Sequence, residues 1–166
     1  MELIMSTVAQ GLLWAVLAIG LFLTFRILDI ADLSIEGSYP LGGAIAVMTI
    51  TAGHSPVLAV VLAFLGGCVA GAVTGFLHTK LKIPALLAGI LTMIGLYSVN
   101  LRIMGRATTS ILGMNTVYTA FEGSMSKVMA TFTVGLLVTV LVWVFCYVFF
   151  GTELGAAIRA TGDNPQ

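Results

Sequence analysis

Five apolar runs, separated by short polar stretches, set the pattern of the chain: Val8 to Phe25, Tyr39 to Thr51, Pro56 to Leu77, Ile83 to Leu101 and Val128 to Phe150. A helix needs about 20 predominantly apolar residues to cross the hydrocarbon of a bilayer. The third, fourth and fifth runs meet that length, and the first nearly does. The second is short, so it either tilts or continues the polar stretch before it as a broken helix. The fifth is apolar on all sides and carries Trp143, Tyr147 and Phe150 near its end, which suits an aromatic belt at a membrane interface. The pattern predicts an all-α, polytopic membrane helix bundle with about five transmembrane segments.

The polar stretch Thr24 to Ser38 interrupts this pattern. Arg26 and Asp29 are spaced i, i+3, where two side chains on a helix meet. Asp32, Ser34 and Glu36 alternate with Leu33 and Ile35, a period of two unlike the flanking helices. Gly37-Ser38 and then Pro40 predict a break and a restart, with Ser38 a candidate N-cap. Two readings fit. One is an exposed loop between membrane helices. The other is non-helical backbone at membrane depth, which is tolerated only where protein or a watery cavity surrounds it and where transporters build binding sites.

The third run carries Gly67, Gly71 and Gly75 at intervals of four, with Ala63, Gly66 and Ala70 nearby. Small residues at this spacing let another helix approach closely, within or between subunits. His78, ahead of Lys80, Lys82 and Pro84, has no second metal ligand spaced near it and reads as a headgroup-level residue. In the fourth run, the Thr92 hydroxyl can bond its own backbone. Asn100 is costly in lipid, so it either faces protein or water, or lies at the interface. The linker Arg102 to Lys127 is rich in Thr, Ser, Gly and Asn, with a candidate short helix around Thr116 to Phe121. It reads as a solvated loop, or as a docking surface for a substrate-binding protein.

The last stretch, Gly151 to Gln166, is small and polar. Thr152 to Ala160 are good helix formers, with Leu154, Ala157 and Ile158 at i, i+3, i+4. Gly162 suits a helix C-cap, and Asn164-Pro165 signals a turn. A helix this short has little stability of its own in water. It reads as a surface loop or as a short amphipathic helix that docks into a partner.

Composition agrees with the pattern. The chain is 59% hydrophobic and only 8% charged, with a mean hydropathy of +1.11, whereas a soluble domain carries about 25% charged residues. Its net charge of zero argues against a nucleic-acid partner. Cys68 and Cys146 both lie inside apolar runs, with no disulfide or metal spacing. The start, Met1-Glu-Leu-Ile-Met, lacks the basic region of a cleavable signal. No phosphate-binding Gly-x-x-x-x-Gly-Lys-Ser/Thr loop, nucleophile–base pair or metal-ligand set is visible, so neither an enzyme nor a cofactor is expected.

Three blocks, in order, resemble one family. Leu28 to Ala44 resembles the first block of the ABC-importer permeases that include branched-chain amino acid, simple sugar and nucleoside permeases, where an Asp/Asn-Leu-Ser-x-Gly motif precedes a Gly-Ala-rich helix. Ile90 to Gly105 resembles a bacterial subgroup linked to uptake of tryptophan and related solutes. Glu153-Leu-Gly, followed by Ile158-Arg-Ala-Thr-Gly-Asp-Asn-Pro165, resembles the family's cytoplasmic coupling loop.

The resemblance implies a single permease domain over residues 1–166, with a coupling loop over 152–166 formed by Glu153, Leu154, Gly155, Ala157, Ile158, Arg159, Gly162, Asp163, Asn164 and Pro165. Asp32, Ser34, Glu36, Gly37 and Asn100 would line the translocation pathway. The implied partners are a separate ABC ATPase subunit, a substrate-binding protein, a second permease copy and the lipid of the bacterial cytoplasmic membrane. The implied mechanism is alternating access. Family members continue past the coupling loop with further helices, so a fragment or a truncated product is expected.

With the coupling loop inside, Arg26, Lys80, Lys82 and Arg159 fall in the cytoplasm, and Arg102, Arg106 and Lys127 outside. That bias is slight. The amino terminus is then outside, and inside if the second run does not span. The contrasting functional class is a small non-transport membrane scaffold or assembly subunit using the glycine face of the third run; a passive channel is a third possibility. The solute is not legible in the residues.

Overall fold

The structure, a computed structural model, describes residues 2–30, 32–111, 113–119 and 126–163. Every regular element among the described residues is helical: α1 (Glu2–Phe22), which runs on into a π-helical turn (Leu23–Ile27), α2 (Ile35–Thr51), α3 (Pro56–Thr79), α4 (Ala85–Met104), α5 (Lys127–Phe150) and α6 (Glu153–Asp163). Four described helices are long and apolar enough to cross a membrane: α1 with its π-helical turn, α3, α4 and α5. α2, which covers the short second run, has 17 residues.

The helices form two compact units, Met1–Ile30 with Tyr118–Gln166, and Ala31–Val117. In the first unit α1 packs on α5, and α6 contacts the end of α5 and the π-helical turn. Small residues make the α1–α5 contact. Ala9 and Ala130 are fully buried, and a Cβ at Gly135 would lie 3.3 Å from Leu12 Cβ. The Thr139 hydroxyl lies within hydrogen-bond distance of the Leu12 carbonyl (3.0 Å) as well as that of Gly135 (2.8 Å). Gly135 has no repeat pattern in the sequence and marks this contact through its lack of a side chain alone.

In the second unit α2, α3 and α4 pack mutually. The core is again built of small groups: Ala44, Ala59, Ala70 and Ala88 are buried. Two buried hydroxyls bridge α3 and α4, Thr74 donating to Thr92 at 3.0 Å, while Thr92 donates to the Ala88 carbonyl at 3.0 Å. The expected backbone bond of Thr92 is therefore present, with an interhelical one beside it.

Helix ends follow their local chemistry. Ser55 accepts a hydrogen bond from the Leu58 amide ahead of α3, which has proline at its start, and Ser126 accepts one from Met129 at α5. α4 begins after Pro84 and ends at Gly105, which is left-handed at φ 65°. His78 Nδ1 lies 2.9 Å from the Ile83 carbonyl oxygen across the turn between α3 and α4.

The structure departs from the sequence pattern at three points around the start of α2. α2 is not broken at Gly37-Ser38: it begins at Ile35 and runs through Pro40. The Ser34 carbonyl accepts from both Gly37 and Ser38 amides (3.0 and 2.9 Å), so the first turn is complete before the proline removes one donor. Ser38 is not the N-cap; its hydroxyl donates back to the Ile35 carbonyl at 3.2 Å. Arg26 and Asp29 form no ion pair among the described residues. Asp29 is left-handed, at φ 53°, and so no longer shares a helix face with Arg26.

The expected short helix around Thr116 to Phe121 falls largely outside the described residues. Val117 and Tyr118 form a turn, and Thr119 is the last residue described before 126. The glycine face of α3 is divided in use. A Cβ at Gly66 would overlap the Ile45 side chain of α2, whereas nothing among the described residues lies within 4 Å of a Cβ at Gly67, Gly71 or Gly75.

Candidate functional site

Two sets of predicted residues can be placed, one in each unit. The first is α6. Gly151 and Thr152 form the turn after α5, and the Thr152 side chain caps the new helix. Its hydroxyl donates to the Phe149 carbonyl at 2.6 Å and accepts from the Gly155 amide at 3.3 Å. The helix forms over Glu153–Asp163, as the helix formers predict, but it passes through Gly162 instead of ending there.

The reason is a contact, not a turn. A Cβ at Gly162 would overlap the Ile27 carbonyl oxygen and lie 3.0 Å from the Ile27 carbonyl carbon. At the other end, a Cβ at Gly155 would overlap the Phe149 carbonyl oxygen and the Phe150 backbone. Gly155 and Gly162 are two turns apart and so share a face. Ile158, half-buried, lies on the same side.

The packed stripe of α6 is thus Gly155, Ile158 and Gly162. It differs from the predicted stripe of Leu154, Ala157 and Ile158. Leu154 is 69% exposed, and Glu153, Ala157 and Arg159 are exposed with it. Arg159 also lines a groove of about 910 Å³ between α1, α5 and α6, whose apolar wall includes Ile19, Phe22 and Tyr147. Asp163 is the last helical residue described, and Asn164 and Pro165 lie outside the described residues.

The second set surrounds the start of α2. Asp32 and Leu33 form the non-helical approach to α2, and the Asp32 carboxylate accepts from the Ser34 amide at 2.8 Å. This local bond holds the chain in a turn ahead of the helix. Ser34 is buried. The turn rests on α4 at Gly89, where a Cβ would be 2.8 Å from Leu33 N and 3.0 Å from Asp32 Oδ1. One turn into α2, Gly37 meets Met93: a Cβ there would be 2.9 Å from Met93 Cα. Asn100 Nδ2 reaches the Gly37 carbonyl at 3.5 Å, and its Oδ1 is buried with no partner among the described residues.

Asp32, Ser34, Gly37 and Asn100 are therefore gathered along the α2–α4 contact. Glu36 is exposed and stands apart from them. Gly89 and Met93 belong to this contact and were not singled out in the sequence. The available signal was the small pair Ala88-Gly89 inside an otherwise bulky run. Among the described residues no group of three or more His, Cys, Asp or Glu side chains is placed to hold a metal ion.

Comparison with known proteins adds to this geometry. The profile of the family "Branched-chain amino acid transport system / permease component" matches residues 3–166. A tyrosine transport system permease protein of Clostridioides difficile (strain R20291) is 39% identical over 163 residues, covering 98% of this chain and 53% of the relative. The uncharacterized protein RP368 of Rickettsia prowazekii (strain Madrid E) is 33% identical over 164 residues, covering 99% of this chain and 56% of the relative. The chain thus spans little more than half the length of both. No solved structure matches it.

Proposed function

The chain belongs to the family of branched-chain amino acid transport system permease components, and from that premise we propose that it serves as a permease subunit of an ATP-driven importer in the bacterial cytoplasmic membrane. The observation that carries this reading is the family match over nearly the whole chain. The solute is an amino acid, and the tyrosine permease among the relatives makes aromatic amino acids the first to test.

The chemistry of ATP hydrolysis belongs to a separate ATPase subunit, and a substrate-binding protein delivers the solute. A second permease copy completes the pathway. α6 is the coupling helix. Its inward stripe is spent on α5 and the end of α1, so its outward residues, Glu153, Leu154, Ala157 and Arg159, are those that meet the ATPase. An exposed leucine and an exposed arginine on one helix suit a partner cleft with an apolar floor and an acidic rim.

Asp32, Ser34, Gly37 and Asn100 flank the translocation pathway. Polar groups at the contact of two apolar helices are expensive in lipid and are retained where a solute passes. The Asn100 Oδ1, unpaired among the described residues, supports this reading, since a buried acceptor without a donor is an uncommon arrangement unless a ligand or water completes it. Glu36 takes no part in this contact.

The test is uptake. The permease, purified with its ATPase partner and reconstituted in liposomes with its binding protein, is expected to accumulate labelled tyrosine or tryptophan only when ATP is supplied on the ATPase side. Uptake of an amino acid that proceeds equally without ATP would replace this reading with a passive channel. An assembly that binds no ATPase and moves no solute would replace it with a scaffold.

A further inference from the structure

α6 rests on backbone at both ends, at Gly155 and at Gly162. Most helix contacts are made by side chains, which have alternative rotamers and give slightly under load. Gly155 removes that freedom at one end, where it abuts the Phe149 carbonyl and Phe150 backbone. Gly162 removes it at the other, against Ile27 and Leu28. The first contact is between neighbours in sequence and only fixes the turn out of α5. The second joins α6 to the end of α1, far away in the chain.

Ile27 closes the π-helical turn, whose wider ring is marked by the Leu28 amide donating to the Leu23 carbonyl at 3.2 Å. Turns of this kind are rare and collect at functional sites. Only glycine, with a hydrogen where every other residue carries a Cβ, allows the two backbones to approach this closely. Asp29 then leaves the helix in the left-handed region.

We propose that the Gly162–Ile27 contact is a backbone joint that makes α6 and α1 move as one body, so that Gly162 is a positioning residue for coupling. This rests on the reading of α6 as the coupling helix. A stroke delivered to the exposed side of α6 passes into α1 across this joint as well as into α5 along the chain. The atoms nearest position 162 among the described residues are backbone atoms of Ile27 and Leu28, and a joint of backbone on backbone has little slack. Any side chain at 162 must push α6 off the end of α1.

The experiment uses the permease assembled with its ATPase, with Cys68 and Cys146 replaced by serine. Gly162→Ala and Gly162→Val are compared with the parent for ATPase co-purification and ATP-driven uptake. The expected result is that the ATPase still co-purifies, while uptake falls at least about five-fold in Gly162→Ala and further in Gly162→Val. A variant that retains full uptake overturns the joint.

A second measurement needs no change at 162. Spin labels at Leu3→Cys on α1 and Thr161→Cys on α6, both exposed positions, report the distance between the two helices in the nucleotide-free and ATP-bound states. It is expected to change by less than about 2 Å, the scale of ordinary shifts within a packed interface. A larger change overturns the joint while leaving the importer reading intact. A parent permease that never binds an ATPase overturns the importer reading, and the joint's role in coupling with it.

Discussion

Gly37 of α2 lies so close to Met93 of α4 that a Cβ at position 37 would stand 2.9 Å from the Met93 Cα. The neighbour is backbone, so it cannot rotate away. Gly37→Ala is expected to destabilise the permease by about 1–3 kcal/mol, as overpacking of a filled contact does. Thermal denaturation in detergent would measure it. A variant as stable as the parent would mean that α2 and α4 separate without loss.

Asp32 acts first as a hydrogen-bond acceptor for its own chain, holding the Ser34 amide at 2.8 Å. Ser34 is only 3% exposed, so Asp32→Ala leaves a buried donor unpaired, at about 1–3 kcal/mol. Asp32→Asn keeps an acceptor oxygen in the same place and is expected to recover most of that stability. The pair of variants separates the turn from the charge. Equal losses in both, by thermal denaturation, would show that the charge rather than the acceptor holds the turn.

The Thr74 and Thr92 hydroxyls form a side-chain hydrogen bond between α3 and α4. Each also reaches a carbonyl of its own helix, so losing the partner does not strand the other. A double-mutant cycle of Thr74→Val and Thr92→Val is therefore expected to give a coupling of only about 0.6 kcal/mol, the average for such bonds in membrane proteins. A coupling several times larger would mean that neither hydroxyl is satisfied by its own backbone.

Much of this fold is legible in the sequence because lipid demands it. A membrane helix satisfies its backbone within itself and must stay apolar for its whole length, so the runs Pro56 to Leu77 and Val128 to Phe150 lie inside α3 and α5 nearly residue for residue. Contacts between helices are less legible, because any small residue can make one. Gly67, Gly71 and Gly75 form the conspicuous repeat, yet Gly66 is the glycine that meets α2. Gly162 reads as a helix end because glycine commonly ends helices; its actual neighbour, Ile27, is remote in sequence. The proline at 40 reads as a break because local rules see one missing donor and not the Ser34 carbonyl that completes the turn before it.

Among the described residues, nothing lies within 4 Å of a Cβ at Gly67, Gly71 or Gly75, the outer glycines of α3. Gly71→Leu is expected to change the stability of the solubilised monomer by no more than about 0.5 kcal/mol, as for substitutions away from packed contacts. Thermal denaturation of the monomer and of the assembled transporter gives the comparison. A large loss in the monomer would contradict the open face.

The most direct measurement is association with the ATPase through the outward face of α6. Leu154→Glu and Arg159→Glu alter side chains that are exposed, so the permease is expected to insert and fold as the parent does. The parent is expected to co-purify with its ATPase subunit, and the double variant to lose it. A parent that never retains an ATPase, or a double variant that binds it as well as the parent does, would contradict the account of α6 as the coupling helix of an importer.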